Sequence, residues 1–310
     1  MAEAEPTRSG HVEHAGHRFW WELHSTGEAA GDGEGGDGQR EVVVLFNGLA
    51  MHTGAWTTVL PELTPSYDVV LFDYLGQGRS SAPDTRYAIP DFADALSRIL
   101  DRLGSRGLRT AAVHTVGISY GAFVALDFAR RHPTRVATQT LSGVVLSHER
   151  QFAMYRDLSM RFFRGDAGSF ELYTHYLYEK IFGESFLRAV GAERLEALRG
   201  GFYERYCDRV HCLVRLTEAQ DAFFAALDVN LSAYARIETP TLLAVGAQDR
   251  AIPLWQQVRL LEILPDCRLE IVAEAGHVVH LERCAELFAL LRAFFAARAT
   301  TFDRPPSATG

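Results

Sequence analysis

Apolar and polar positions along the chain follow two alternating periods. Continuous apolar runs of strand length, as expected for strands buried on both faces, occupy residues 41–46, 67–72, 111–118, 135–146, 241–245 and 268–272. Apolar residues spaced three and four apart predict helices at residues 56–63, 90–103, 120–132, 254–263 and 281–297. Because strands and helices alternate, we predict a mostly parallel sheet with helices on both faces.

Both ends of the chain and one internal stretch lack this alternation. We expect residues 1–10 to be disordered and residues 299–310 to form a flexible tail. Alternating polar residues across residues 11–24 predict an antiparallel strand pair. Residues 28–40 are rich in Gly, Asp and Glu, which is typical of a flexible, solvated loop.

Between residues 148 and 235 the alternation stops. This stretch has no strand-like apolar run, predicts several helices, and holds nearly half of the chain's Phe, Tyr and Trp residues. Helices inserted between two strands of a parallel sheet lie over its carboxyl edge or to one side. We therefore expect residues 11–147 and 236–298 to form one core, with residues 148–235 as a helical insertion that caps the site. Phe152 and Tyr155 are candidates for an apolar substrate pocket there.

Residues 117–121 read Gly-Ile-Ser-Tyr-Gly, directly after an apolar run and directly before a helical pattern. In this setting the turn is so tight that the serine takes strained backbone angles, and the flanking glycines let neighbouring backbone approach. The turn raises the serine hydroxyl above the sheet edge, at a helix N-terminus that favours negative charge. Ser119 is therefore the candidate nucleophile, with Gly117 and Gly121 setting the geometry of the turn.

A serine hydroxyl is a weak nucleophile at neutral pH, so it needs a base and an acid that orients the base. His277 is the candidate base, because it directly follows the last predicted strand after a glycine. Asp249 is the candidate acid, because it directly follows the preceding strand. With Ser119, these residues lie at the carboxyl ends of strands, where an open parallel sheet places its sites.

Two backbone amides are candidates for binding an oxyanion. The Tyr120 amide opens the helix after Ser119, and the Leu49 amide follows Asn47 and Gly48 at the end of a predicted strand. Gly48 is expected to shape that loop. Three polar residues near strand ends are further candidates for the substrate pocket: Asn47, His52 and His148.

Other acids and bases leave alternatives open. His280 lies three residues after His277 and is an alternative base, although packing beside the last helix is its simpler interpretation. Asp73 is expected to be structural within its loop. Asp221 and Asp228 are rival acids if the helical insertion supplies one, but neither follows a strand.

Composition and charge narrow the classes of partner. A net charge of −8 argues against a nucleic-acid surface. No apolar run approaches the roughly 18–20 residues of a membrane span, and the acidic N-terminus lacks a signal-peptide core. The four cysteines form no Cys-x-x-Cys pair, which favours a reducing cytoplasm. Cys207, His211 and Cys212 are close in sequence, but packing is the better interpretation, so we expect no metal and no cofactor.

Five short stretches, taken together in their order, resemble the motifs of one superfamily. They are residues 47–48 (Asn-Gly), 73–80 (Asp-Tyr-Leu-Gly-Gln-Gly-Arg-Ser), 117–121 (Gly-Ile-Ser-Tyr-Gly), 246–249 (Gly-Ala-Gln-Asp) and 276–277 (Gly-His). The chain resembles the α/β-hydrolase superfamily over residues 11–298. The resemblance implies an α/β-hydrolase fold, a mostly parallel doubly wound sheet with an α-helical cap between strands six and seven. It also implies a triad in the chain order Ser119, Asp249, His277.

Two features refine this resemblance. A serine at position 119 sets the chain apart from haloalkane dehalogenases and epoxide hydrolases, which use aspartate at the turn. The common His-Gly pair of the family is Asn47-Gly48 here. Residues 45–56 and 67–73 are also similar to hydroxyacyl-carrier-protein acyltransferases of this fold, including the hydroxyalkanoyloxyalkanoate synthases.

The function that the resemblance implies is hydrolysis of a carboxylic ester, thioester or lactone through an acyl-enzyme on Ser119. The expected partner is a small, apolar acyl substrate, and the sequence predicts no particular oligomeric state. The first alternative is transfer of a (hydroxy)acyl group to an alcohol, CoA or carrier protein. The second is a lyase, a cofactor-free oxygenase or a ligand receptor on the same fold.

Overall fold

The computed structural model describes residues 5–26 and 40–305. The strands are β1 Arg8–His14, β2 His17–His24, β3 Glu41–Phe46, β4 Asp68–Phe72, β5 Arg109–Ile118, β6 Val136–Ser142, β7 Thr241–Gly246 and β8 Cys267–Val272. The helices are α1 Leu60–Leu63, α2 Ile89–Gly104, α3 Tyr120–Arg131, α4 Arg150–Phe163, α5 Ala167–Ile181, α6 Glu184–Ala189, α7 Ala192–Tyr206, α8 Val210–Ala225, α9 Leu227–Tyr234, α10 Leu254–Gln257, α11 Val279–Glu282 and α12 Cys284–Ala297.

All these strands form one sheet in the order β1-β2-β4-β3-β5-β6-β7-β8. The pairs from β4–β3 to β7–β8 are parallel, and β2 pairs antiparallel with both β1 and β4. The mostly parallel sheet predicted from the apolar runs is therefore confirmed, as is the antiparallel pair at its edge. In this topology the carboxyl ends of β3, β5, β6, β7 and β8 meet at one edge of the sheet.

The sheet separates two apolar layers because successive side chains of a strand point to opposite faces. Val42 and Val44 of β3 pack in a cluster with α2 and α3, whereas Val43 and Leu45 pack in a second cluster with α1 and α12. Burial on both faces explains why β3 reads as a continuous apolar run in the sequence. No helix within the described ranges is long and apolar enough to cross a bilayer.

The helical insertion consists of α4 to α9 and lies between the sixth and seventh strands, as predicted. Its aromatic residues form their own cluster, which contains Phe163, Tyr173 and Phe202 and contacts Leu49 after β3. The insertion is also joined to the core at α4, where the Phe152 ring stacks 6.1 Å from the Phe123 ring of α3. Most of its aromatic side chains therefore hold helices together.

The predicted disorder of residues 1–10 is wrong for their last part. Residues 8–10 belong to β1 and pair with residues 21–23 of β2, so interstrand hydrogen bonds fix them. Residues 1–4, the predicted loop at 28–39 and residues 306–310 lie outside the described residues.

The predicted flexible tail is wrong for residues 299–305. The Arg268 guanidinium donates to the backbone oxygens of Thr300 and Phe302, at 3.1 and 2.7 Å. The Phe302 ring also packs 5.7 Å from the Phe294 ring of α12. These contacts hold the chain against β8 after the last helix ends.

Candidate active site

The turn between β5 and α3 is strained at one residue. Ser119 has φ 54° and ψ −121°, in the positive-φ region that residues other than glycine rarely adopt. The Ser119 amide donates to the Ser142 oxygen of β6 at 2.7 Å, which ties the turn to the neighbouring strand. Ile118 and Tyr120 are buried on either side, while Ser119 is partly exposed. The turn thus presents the serine alone.

Glycines on both sides make this turn sterically feasible. A Cβ on Gly117 would lie 2.6 Å from the Ala122 Cα, closer than real Cβ atoms approach. A Cβ on Gly121 would overlap the backbone oxygen of Phe46 in β3. The first turn of α3 therefore packs directly against backbone, as the Gly-x-Ser-x-Gly pattern predicts.

The loop after β3 is held by two buried amide side chains. Asn47 is completely buried; its Nδ2 donates to the Phe72 oxygen at 3.0 Å and its Oδ1 accepts from Trp56 Nε1 at 2.7 Å. The expectation that Asn47 lines the substrate pocket is therefore wrong, because the loop turns this side chain into the core. Gln77, also completely buried, donates to the backbone oxygens of Gly48 and Leu49, at 2.8 and 2.9 Å.

The contact with Gln77 also orients the Leu49 amide. In a trans peptide the carbonyl and the following N–H point in opposite directions. Since the Gly48 oxygen points at Gln77, the Leu49 N–H points to the other side of the loop. Gly48 lies beside the turn that carries Ser119, since a Cβ on Gly48 would be 3.7 Å from the backbone oxygen of Ile118.

Asp249 and His277 form a buried hydrogen-bonded pair. His277 Nδ1 lies 2.8 Å from Asp249 Oδ2, and the two residues are 5% and 6% exposed. The other carboxylate oxygen, Oδ1, accepts from the amides of Ala251 and Ile252 at 2.9 and 2.8 Å. These amides fix the carboxylate so that Oδ2 faces the imidazole.

The charge around the imidazole favours its protonated form. Burial lowers the pKa of His277, but the negative charges of Asp249 and Glu282 outweigh burial, so the pKa lies above the ordinary 6.5. The neighbouring His280 differs, since burial and the charge of His277 lower its pKa to about 3. The His280 ring packs 5.1 Å from the Trp56 ring, in the environment of a neutral core histidine.

The His277 ring and the Ser119 turn both contact the end of β6. A Cβ on Gly143 would lie 2.5 Å from His277 Cε1, so the ring occupies the space that a side chain would need. Gly143 has φ 67° and directly follows Ser142, whose oxygen accepts from the Ser119 amide. The Ser119 turn and the His277 ring thus contact two consecutive residues, Ser142 and Gly143, at the carboxyl end of β6.

The connection between α5 and α6 lies against the loop that carries His277. The His277 amide donates to the Ile181 oxygen at 2.7 Å. Glu282 Oε2 accepts from the amides of Gly183 and Gly276, at 2.9 and 3.0 Å. A Cβ on Gly276 would overlap the Gly183 amide, so only glycine allows this close approach. The helical insertion therefore supports the imidazole through its backbone.

The same connection also reaches the loop of Asp249. The Ser185 amide donates to Gln248 Oε1 at 3.0 Å, and Gln248 Nε2 donates to the Ser185 hydroxyl at 3.0 Å. Arg250 donates to the Phe182 oxygen at 3.1 Å. Both loops of the pair are thus in contact with the helical insertion, which the sequence did not indicate.

The remaining pocket candidates have separate surroundings. His52 Nδ1 accepts from the Gly54 amide at 3.2 Å and caps a short 3₁₀ turn. His148 is exposed, and its Nε2 lies at hydrogen-bond distance, 2.9 Å, from Asp228 Oδ1. The expectation that Phe152 lines the pocket is wrong, because this side chain is buried in the core against Phe123, whereas the place of His148 stays a prediction.

Tyr155 lies among the aromatic side chains of the helical insertion. It is partly exposed and its hydroxyl is hydrogen-bonded to Tyr173. Burial raises the pKa of Tyr155 well above its ordinary value, and the negative charge of Asp249 adds to this. The Tyr155 ring packs 6.3 Å from the Phe152 ring and 6.1 Å from the Tyr176 ring, and its place in a substrate pocket stays a prediction.

The rival acids have other partners. Asp73 is completely buried, accepts from the amides of Thr53 and Arg79 at 2.7 and 2.9 Å, and has its pKa raised to about 6 by burial. Asp221 forms an ion pair with Arg156 at 2.9 Å. Among the described residues, no group of three His, Cys, Asp or Glu side chains could hold a metal ion.

The sequence of the chain is similar to a family profile and to the sequences of known proteins. A sequence profile of the alpha/beta hydrolase fold matches residues 41–283. The 2-hydroxy-6-oxo-6-phenylhexa-2,4-dienoate hydrolase of Comamonas testosteroni is 27% identical over 272 residues, which are 84% of this chain and 90% of that protein. The poly(3-hydroxyalkanoate) depolymerase of Ectopseudomonas oleovorans is 24% identical over 275 residues, which are 86% of this chain and 89% of that protein.

Solved structures agree on the fold. MGS-M2, an alpha/beta hydrolase enzyme from a Medee basin deep-sea metagenome library, is similar with a TM-score of 0.77 and 24% identity. The similarity covers 95% of this chain and 99% of that chain. Since the family profile also spans most of the sheet and the helical insertion, the chain belongs to the α/β-hydrolase fold family.

Proposed function

We propose that this protein is a serine hydrolase that cleaves a carboxylic ester, thioester or lactone through an acyl-enzyme on Ser119. The observation that carries the proposal is the strained, partly exposed Ser119 beside the buried Asp249–His277 pair. A nucleophile, its base and the acid that orients the base are the parts that acyl transfer by serine requires.

The chemistry proceeds in two acyl-transfer steps. Ser119 Oγ bonds to the substrate carbonyl carbon while His277 Nε2 takes the hydroxyl proton. The resulting oxyanion accepts from the Leu49 and Tyr120 amides, donors whose removal typically costs about 2.7–4 kcal/mol of barrier. The carbon–leaving-group bond then breaks as His277 returns the proton to the leaving group. A water molecule, deprotonated by the same imidazole, then attacks the acyl carbon; the bond from this carbon to Ser119 Oγ breaks, His277 returns the proton to Oγ, and the acid leaves.

The surroundings of the pair support these roles. Because a carboxylate accepts hydrogen bonds, Asp249 Oδ2 favours a proton on His277 Nδ1, so that Nε2 can accept the hydrogen bond of the Ser119 hydroxyl. The two relatives above carry the names of a hydrolase and a depolymerase, which supports hydrolysis. The aromatic cluster of the helical insertion contacts Leu49, which supports an apolar acyl group.

The proposal is tested with short p-nitrophenyl esters. We expect the wild type to release p-nitrophenol, and we expect Ser119→Ala to lose this activity while its circular dichroism and Tm stay unchanged. Ser105→Ala, at an exposed serine after α2, is the matched control and keeps full activity. Ester turnover that survives in Ser119→Ala would contradict the proposal. Product analysis with and without an added alcohol tells hydrolysis from acyl transfer to an acceptor.

A further inference from the structure

Gln257, at the end of α10, makes contacts that no sequence motif predicts. It is completely buried. Its Nε2 donates to Asp249 Oδ2 at 3.1 Å and to the Ile252 oxygen at 2.6 Å. Its Oε1 accepts from the Gly143 amide at 2.8 Å. One side chain thus joins the loop after β7 to the residue that follows β6.

These contacts reach the Asp249–His277 pair from two sides. Asp249 Oδ2 accepts from both Gln257 and His277 Nδ1, while Oδ1 accepts from two backbone amides. Four donors use the full accepting capacity of a carboxylate. Gly143, in turn, is the residue against which the His277 ring packs. Gln257 therefore fixes both the orientation of the acid and the surface behind the base.

We propose that Gln257 is a positioning residue, which holds Asp249 and His277 in the geometry that deprotonates Ser119. This inference rests on the proposed function. Its physical basis is the amide group, which offers a donor to the carboxylate and an acceptor to the Gly143 amide at once. A methionine fills a similar volume but offers neither. A glutamate retains the acceptor and adds a negative charge.

The charged and titratable groups around the pair define the expected pH effects. The groups that face His277 are Asp249, Glu282 and His280. Among the titratable groups of the helical insertion, Tyr155 has its pKa raised by burial and, to a smaller extent, by the charge of Asp249. A glutamate at position 257 would place a second carboxyl group at the contact with Asp249 Oδ2, where repulsion keeps one proton between the two groups at low pH. Loss of that proton adds negative charge beside the pair and favours the protonated imidazole. Because the base must be neutral, Gln257→Glu moves the acid limb of kcat/KM to higher pH.

The neighbouring Gln256 provides a matched control. It is also completely buried in α10, but its Nε2 donates to Gln151 Oε1 at 3.2 Å and not to the acid. We expect Gln257→Met to lower kcat about 10- to 100-fold with KM changed less than about twofold, as for loss of a hydrogen bond to a charged group. Gln256→Met keeps kcat within about threefold of wild type at a matched loss of Tm.

Proton NMR gives a second measurement that does not depend on turnover. We expect a downfield signal for the His277 Nδ1 proton in wild type and Gln256→Met, assigned by its absence in His277→Gln. In Gln257→Met we expect this signal to broaden or shift. Should Gln257→Met misfold, Gln257→Asn, whose amide is one methylene shorter, carries the same kinetic and NMR test against Gln256→Asn, and equal losses of kcat in these two variants would overturn the positioning role.

Two outcomes separate this proposal from the proposed function. Equal losses of kcat in the two methionine variants, with an unchanged Nδ1 signal in Gln257→Met, would overturn the positioning role. Ester turnover that persists in Ser119→Ala would instead remove the proposed function, and the NMR comparison would then decide the role of Gln257 alone.

Discussion

The turn of Ser119 and the Asp249–His277 pair are held by different kinds of contact. The turn is fixed by backbone packing at Gly117 and Gly121, within three residues of the serine or against the adjacent strand β3. The pair is fixed by hydrogen bonds within its own loop, from the amides of Ala251 and Ile252, and by hydrogen bonds to other elements, at Gln257 of α10 and the Ile181 oxygen of the helical insertion. The turn can thus be recognised from a short sequence motif, whereas several supports of the pair appear only in the tertiary structure.

Substitutions at the turn and near the pair are expected to differ in their effect on activity. A change that blocks the turn removes the position of Ser119 itself, because no neighbouring side chain can compensate for a backbone overlap. A change near the pair removes one support among several, since backbone amides still bind Asp249 and the Ile181 oxygen still binds the His277 amide. We therefore expect steep effects at the turn and graded effects around the pair.

The largest effect is expected at the turn. A Cβ on Gly121 would overlap the Phe46 backbone oxygen, so Gly121→Ala must displace α3 from β3. We expect it to abolish ester turnover and to lower the free energy of unfolding by about 1–3 kcal/mol, as overpacking does. Denaturant unfolding and ester assays measure both quantities.

Gly200→Ala is the control for this substitution. Gly200 lies inside α7 and a Cβ there meets no atom within 4 Å. We expect full activity and a gain in stability of about 0.5–1 kcal/mol, because alanine restricts the unfolded chain and favours helix. Similar losses in Gly121→Ala and Gly200→Ala would show that the turn has no special role.

The next largest effect is expected at the acid. Asp249→Asn keeps the size of the side chain but removes the charge that orients and stabilises the imidazolium. If the proposed triad is correct, kcat falls about 10³- to 10⁴-fold, the effect of this substitution in serine proteases, with a smaller change in KM. Steady-state kinetics on one ester measures this. A loss of less than about tenfold would move the acid to another residue.

The smallest effect is a shift of the pH profile. The base must be neutral, so kcat/KM falls as the pH drops through the pKa of His277, which Asp249 and Glu282 hold above 6.5. Glu282→Gln removes one of these charges but retains an oxygen for the amides of Gly183 and Gly276. We expect its acid limb to move to lower pH. An acid limb at the same pH as in wild type would show that the charge of Glu282 does not raise the pKa of His277.

Most of the fold and part of the candidate site could be predicted from the sequence. The sheet, the turn at residues 117–121 and the positions of Asp249 and His277 at strand ends follow from local patterns. Asn47 was misassigned because a position after a strand does not say which way the loop turns its side chain. Gln257 was missed because it lies in an ordinary helical pattern, and its contacts arise only when β6 and β7 are neighbours.

The contacts of the helical insertion could not be predicted for a related reason. Ile181 and Gly183 contact the loop of His277 across almost a hundred residues of sequence. Neither residue type signals such a role, because it is the backbone that makes the contact. The aromatic content of the insertion indicated a pocket, while the structure uses Phe152 and most other rings to pack its helices.

The most direct test of the central claim is covalent labelling with a fluorophosphonate, followed by peptide mass spectrometry. We predict that the folded wild type gains one adduct on the peptide that contains Ser119, and that Asp249→Asn and His277→Ala label much more slowly at neutral pH. Ser119→Ala should gain none at this position. An unlabelled wild type, or equal labelling rates in wild type and His277→Ala, would contradict the account.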